Sequence, residues 1–299
     1  MMIYEFTSFD GKKISVREWN EVSSPKGVIQ ISHGMAEHSG RYDIFAREMN
    51  ARGYIVFADD HRAHGITDKD TLGYSDGDIY SDTLKDLGLL AGTYREKYCL
   101  PLFFFGHSYG SFLGQRFIGE YGSLISAAVL GGSNYMNIFT TKFGKAFASA
   151  ACVFGRSKKP SGTLKKASFD AYDKKFGKGE SFISSLPAER DRYFADPFCA
   201  FVCSNAFYKW FFKGILAAYK AENLAKIPAD LPVLLIAGAS DPVGEMGKGV
   251  TKLEELYKKH GVAVKKVLYE GVRHEFLNDV SRAAAFDEIE KFFSANIKG

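Results

Sequence analysis

Short apolar runs alternate along the chain with longer segments whose apolar positions recur every three or four residues. Lys13–Glu18, Gly27–Ser32 (GVIQIS) and Tyr54–Ala58 (YIVFA) are strand-like, rich in β-branched and aromatic side chains. Between the last two, Arg41–Arg52 sets Tyr42, Phe45, Ala46 and Met49 at helical spacing and stops before Gly53. The pattern then predicts a helix over Ile79–Tyr98, a strand over Leu102–Phe105, a helix over Tyr109–Tyr121 and a strand over Ala127–Leu130. Strands that are apolar throughout and joined by helices indicate an α/β protein, with a mostly parallel sheet covered on both faces.

The alternation stops after Leu130. It resumes with a strand at Pro232–Ala237 (PVLLIA), a helix at Gly249–His260, a strand at Val264–Tyr269 and a helix at Arg282–Ile297. The interval holds KKPSG, GKG and aromatic-rich helical patches instead. Residues 133–228 therefore read as a mainly helical insertion between two parts of one core, 1–132 and 229–299.

With 299 residues, 46% of them hydrophobic, the chain can bury a large core. Its start lacks the pattern of a secretory signal, and no run reaches the ~18 apolar residues of a membrane span. The expectation is a soluble, cytoplasmic protein. Four cysteines, Cys99, Cys152, Cys199 and Cys203, are too few to staple such a chain and are expected as free thiols. Cys199 and Cys203, four apart, have the spacing of neighbours on one helix face. Charge is uneven: residues 133–228 carry 16 Lys and Arg against 7 Asp and Glu, a net +9, whereas the remainder carries −5. Such a basic block either attracts an anionic membrane surface or is simply a solvated exterior. It contains no nucleic-acid reading motif.

Residues 105–110 read F-G-H-S-Y-G, a G-x-S-x-G motif between an apolar strand and a helical pattern. A sharp strand-to-helix turn leaves no room for side chains at its flanks, so glycines stand there and the Ser108 hydroxyl is pushed outward. Serine needs a base, and the base needs an orienting acid. Two residues just past strand ends supply them in the required chain order: Asp241 in A-G-A-S-D-P-V-G and His274 in V-R-H-E. Asp230 precedes its strand, Asp279 follows the histidine, and Glu245 is the reserve acid. His107 lies inside the nucleophile turn and His260 at a helix end. An oxyanion requires two donors, expected to be the backbone N–H groups of Tyr109 and Met35.

Five blocks, H-G-M-A-E-H-S-G-R-Y (33–42), D-D-H-R-A-H-G (59–65), G-H-S-Y-G (106–110), S-D-P-V-G (240–244) and R-H-E (273–275), closely resemble the monoacylglycerol lipase and lysophospholipase-like branch of the α/β hydrolases. The resemblance implies an α/β-hydrolase fold, a Ser108–Asp241–His274 triad, oxyanion donors at Met35 and Tyr109, and a cap formed by 133–228. Ala36 and Ala63 stand where the family usually has glycine, and Tyr109 where it often has methionine. His33, Glu37, Arg41, His61, Arg62 and His64 offer metal-type donors, but their spacing fits no closed zinc pattern, so no metal is expected. Glu37 and Arg41 have the spacing of a local ion pair.

The expected function is a serine carboxylic-ester hydrolase working through an acyl-enzyme, without a cofactor, on monoacylglycerols, lysophospholipids or similar single-chain esters. Alternatives on the same triad are an amidase, a peptidase or an acyltransferase; a non-catalytic ligand-binding protein is the rival from another class. Phe207, Trp210 and Phe211, in a stretch too dense in aromatics to bury every ring on one stripe, are the candidates for substrate contact.

Overall fold

The computed structural model describes residues 1–74 and 76–297. Eight strands form one sheet: β1 (Met2–Thr7), β2 (Lys13–Trp19), β3 (Gly27–Ser32), β4 (Tyr54–Asp59), β5 (Leu102–His107), β6 (Ala127–Gly131), β7 (Val233–Gly238) and β8 (Val264–Tyr269). Their order is β1-β2-β4-β3-β5-β6-β7-β8; the first two are antiparallel to their neighbours and the rest are parallel. The sequence pattern does not predict β1. Its residues are exposed or half-buried, and it exists by pairing with β2, from Met2 opposite Glu18 to Thr7 opposite Lys13.

Every residue of β3 to β7 is buried, as a sheet covered on both faces requires. Alternate side chains enter different cores: Phe103 and Phe105 of β5 pack on one side, Leu102 and Phe104 on the other. The first side is closed by α1 (Asp43–Ala51) and α11 (Arg282–Ser294), through Phe45, Met49, Phe286 and Phe293. The second is closed by α2 (Ile79–Tyr98), α3 (Tyr109–Glu120) and α10 (Lys248–Lys259), through Leu87, Leu113 and Leu253 among others.

Between β6 and β7 the described chain forms helices α4 (Ile138–Ala151), α5 (Gly162–Ala167), α6 (Phe169–Asp173), α7 (Pro187–Ala195), α8 (Asn205–Ala218) and α9 (Ala221–Leu224). Helix α8 joins this layer to the core, packed on α4 and also on α2 and α3. No described helix is long and apolar enough to cross a membrane. The four cysteines are free, and neither Cys199 nor Cys203 lies in a helix: they occupy the irregular link between α7 and α8, so the shared face inferred from their spacing does not exist.

Candidate active site

Ser108 sits at the junction of β5 and α3 with φ 50° and ψ −117°, a backbone conformation that favours glycine and costs about 1–3 kcal/mol in other residues. The surrounding chain holds it there. Its N–H donates to Gly131 O of β6 at 2.9 Å, and its own carbonyl accepts from the Ser111 hydroxyl at 2.7 Å. A Cβ on Gly106 would come within 2.5 Å of Gly110 O, and one on Gly110 would overlap the backbone of Ser32. The two glycines are thus required by close backbone approach on both sides of the serine, which is half-exposed between buried neighbours.

Asp241 lies three residues beyond β7 and His274 five beyond β8, both buried. Asp241 Oδ2 meets His274 Nδ1 at 2.9 Å, while Oδ1 accepts the Val243 N–H at 2.8 Å. Burial by itself would lower the His274 pKa. The charge and hydrogen bond of Asp241, helped by Glu275 and Glu37, outweigh burial and raise it above the ordinary 6.5. With Nδ1 facing the carboxylate, Nε2 is the nitrogen left for the cavity. Ser108 and His274 line one cavity, with no hydrogen bond between their side chains in this structure.

The other sequence candidates take different partners. Glu245 pairs with Lys252 at 2.8 Å, and Asp279 holds Ser185 N at 2.9 Å and Arg273 N at 3.2 Å. Asp230 stays at the opposite edge, ahead of β7. The expected Glu37–Arg41 pair forms at 2.8 Å, but it is half of a larger arrangement. Arg41 also grips Glu275 through two bonds of 2.5 and 2.7 Å, tying the loop after β3 to the loop that carries His274. The irregular segment between α6 and α7 braces the same loop, since His274 N–H donates to Phe182 O at 3.1 Å and Glu275 N–H to Ile183 O at 2.8 Å.

Met35 and Tyr109 both line the cavity. Tyr109 opens α3, so its N–H has no partner inside the helix, and neither N–H donates to another group among the described residues. Ala36 and Ala63 adopt φ 55° and 64°, which explains why glycine suits these positions.

The cavity has a volume of about 500 Å³ and a mostly apolar wall. Of the three aromatic candidates only Phe211 lines it. Phe207 is buried against Tyr109 and His64, with ring centroids 5.2 and 5.7 Å apart, and Trp210 lies half-buried under Lys209 and Lys213. The wall is completed instead by Phe112, Phe143, Phe147, Phe182, Tyr208 and Phe212. Phe143 and Phe147 had a legible signal, one helical turn apart in α4, whereas Phe182 comes from a loop without periodicity.

His33 stacks on His61 and His64 meets both edge-on; this buried group hydrogen-bonds to backbone, to the Ser32 hydroxyl and to Asp59, without the convergent ligand geometry of a metal centre. Elsewhere His38, Asp196 and Cys199 bring three donor atoms within 4.8 Å of one another. There His38 Nδ1 accepts the Gly40 N–H at 3.2 Å, so Nε2 carries the proton that binds Asp196 and is not open to a cation.

A family model described as serine aminopeptidase, S33, matches residues 23–281. Human monoglyceride lipase is 28% identical over 291 residues, covering 95% of this chain and 88% of that protein. A thermostable carboxyl esterase from Bacillus coagulans, solved with glycerol, superposes with a TM-score of 0.90 at 27% identity, covering 99% of each chain. A soluble variant of monoglyceride lipase from Saccharomyces cerevisiae, solved with a substrate analogue, shares the fold at a TM-score of 0.78 and 19% identity, covering 100% of this chain and 96% of that one.

Proposed function

The chain belongs to the serine aminopeptidase S33 family of α/β-hydrolases, and from that membership we propose that it hydrolyses single-chain carboxylic esters, with monoacylglycerols as the leading substrate class. The observation that carries this reading is the mostly apolar cavity above Ser108 and His274, whose two lining carboxylates, Glu37 and Glu275, are both engaged by the one guanidinium of Arg41. A peptidase acting on free amino ends must offer a cationic group an unpaired carboxylate. Here both carboxylates already have a guanidinium partner, while a fatty acyl chain matches the aromatic wall.

In the proposed reaction His274 Nε2 takes the Ser108 proton as Oγ attacks the ester carbonyl, and Asp241 stabilises the resulting imidazolium. The N–H groups of Met35 and Tyr109 hold the oxyanion, each expected to contribute a hundredfold or more in rate. Collapse expels the alcohol with a proton from His274, and water then releases the fatty acid by the same steps. No step calls for a cofactor. Residues 133–228 act in this reading as a cap that supplies the acyl-chain wall.

The proposal extends to a lipid surface. Helix α4 and the turn after it expose Phe139 (83%), Phe143 (76%) and Phe154 (79%), and the same stretch carries the exposed Lys142, Arg156, Lys158 and Lys159; of these residues Phe143 lines the cavity. Exposed aromatics on an element that also carries exposed cations match an anionic interface. Hydrolysis of p-nitrophenyl esters, monoacylglycerols, lysophospholipids and aminoacyl arylamides by wild type and Ser108→Ala tests the chemistry. Turnover that survives in Ser108→Ala, or preference for the arylamides, refutes it. Co-sedimentation with anionic and neutral vesicles tests the surface, and binding unchanged in Phe139→Ser/Phe143→Ser removes that part.

A further inference from the structure

The buried histidines other than His274 are idle in the reaction just described, yet two of them, His33 and His64, make hydrogen bonds on either side of Met35. His33 Nε2 accepts the His61 N–H at 3.0 Å, so the ring proton lies on Nδ1, which donates to Gly34 O at 2.8 Å. His64 Nε2 accepts the Ala36 N–H at 3.2 Å, so its Nδ1 carries the proton donated to Arg62 O at 2.9 Å. Both rings are buried and neutral: burial first, then the neighbouring imidazoles, hold His33 well below the ordinary histidine value, and His64 lies at about 3.

The peptide bond converts these two contacts into an orientation. No cis peptide occurs among the described residues, so each unit here is planar and its C=O and N–H point in opposite directions. Fixing Gly34 C=O therefore fixes the Met35 N–H on the reverse side of the same plane. Fixing the Ala36 N–H does the same for Met35 C=O, the other plane that shares the Met35 Cα. The preceding plane is anchored too, since Gly34 N–H donates to Glu37 Oε1 at 2.5 Å. The φ of 55° at Ala36 shows that the loop is held away from its relaxed path at this point.

We propose that His33 and His64 are positioning residues that aim the Met35 N–H at the oxyanion, each through one ring nitrogen: Nδ1 of His33 as donor and Nε2 of His64 as acceptor. This rests on the ester-hydrolase reading. It adds that the donor's aim is set by side chains that never touch substrate.

The two rings use different nitrogens, so amide replacements should sort in opposite directions. An Asn amide group reaches about where Nδ1 lies, and a Gln amide about where Nε2 lies. His33→Asn keeps a donor for Gly34 O and is expected to stay within about fivefold of wild-type kcat; His33→Gln is expected to lose about tenfold or more, the scale of a misplaced catalytic donor, with KM little changed. At residue 64 the order reverses: His64→Gln is expected to be active and His64→Asn impaired. Each variant is assayed on an aryl ester and its thionoester, whose sulfur accepts hydrogen bonds poorly and so draws less on the oxyanion donors. In the impaired variants the ester-to-thionoester rate ratio is expected to fall.

The same preference, Asn or Gln, at both positions, or losses that leave the ratio unchanged, would mean that the rings merely fill space and overturns the proposal. The two pairs are independent, so if one does not fold the other decides. Wild-type turnover of the aryl ester, abolished in Ser108→Ala, separates failure of this inference from failure of the hydrolase reading.

Discussion

Replacing Asp241 by Asn removes one charge while leaving the shape of the site, and the structure specifies what the new amide must do. Asp241 Oδ1 accepts the Val243 N–H at 2.8 Å. The asparagine carbonyl has to occupy that position, because its NH₂ cannot accept. The NH₂ then faces His274 Nδ1, where the carboxylate oxygen now lies at 2.9 Å. Nδ1 must become an acceptor, its proton moves to Nε2, and Nε2 can no longer take a proton from Ser108. The imidazolium also loses its counter-charge in a buried setting. A wrong tautomer of this kind costs roughly 10⁴ in kcat, equivalent to about 5.5 kcal/mol of barrier. The fold should survive the loss of one charge-assisted hydrogen bond, about 1.5–3 kcal/mol. Steady-state kinetics on a p-nitrophenyl ester, with circular dichroism melting as the control, measures both quantities. A folded Asp241→Asn within tenfold of wild-type kcat would refute the assigned roles of Asp241 and His274.

Three further outcomes are expected. Because His274 titrates above 6.5 and only the neutral ring accepts a proton, kcat/KM should fall as pH drops through that raised value; the stability from His274 has the opposite sign, full below 6.5 and lost as pH rises through the folded pKa. An acid limb with its midpoint below 6.5, read from a pH–rate profile, would contradict this. Ala63→Gly relieves a φ of 64° and should stabilise by about 0.5–1 kcal/mol in urea titrations, the backbone strain outweighing the greater freedom of glycine in the unfolded chain. Gly110→Ala would drive a methyl into the Ser32 backbone and should yield little folded protein, seen as insoluble expression; a soluble, active Gly110→Ala would show that the nucleophile turn is looser than drawn here.

Much of the fold was legible because its signals are local. Fully apolar strands such as GVIQIS, and helices with apolar residues at three- and four-residue spacing, declare themselves within a window of about a dozen residues. The turn around Ser108 is local too, since strand, glycine, serine, glycine and helix occur within a few residues. The edge strand β1 escaped notice because a strand stabilised only by pairing need not carry an apolar face.

What the sequence by itself determined is the order of the layers and the position of chemically competent groups at the ends of strands. Those follow from side-chain periodicity and from backbone rules that act between near neighbours. Only the tertiary structure decided which groups meet. Arg41 is paired to Glu275 across 234 positions, and that contact, invisible to any spacing rule, occupies a carboxylate beside the cavity. Phe211 faces the cavity and Phe207 does not, because α8 packs on several elements at once and its dense aromatics leave no single stripe to read. The loop of Met35 is likewise held from 28 positions away, through the Ala36 N–H on His64 Nε2. Contacts of this range are selected by three-dimensional complementarity of the whole core, to which local sequence contributes only the pieces.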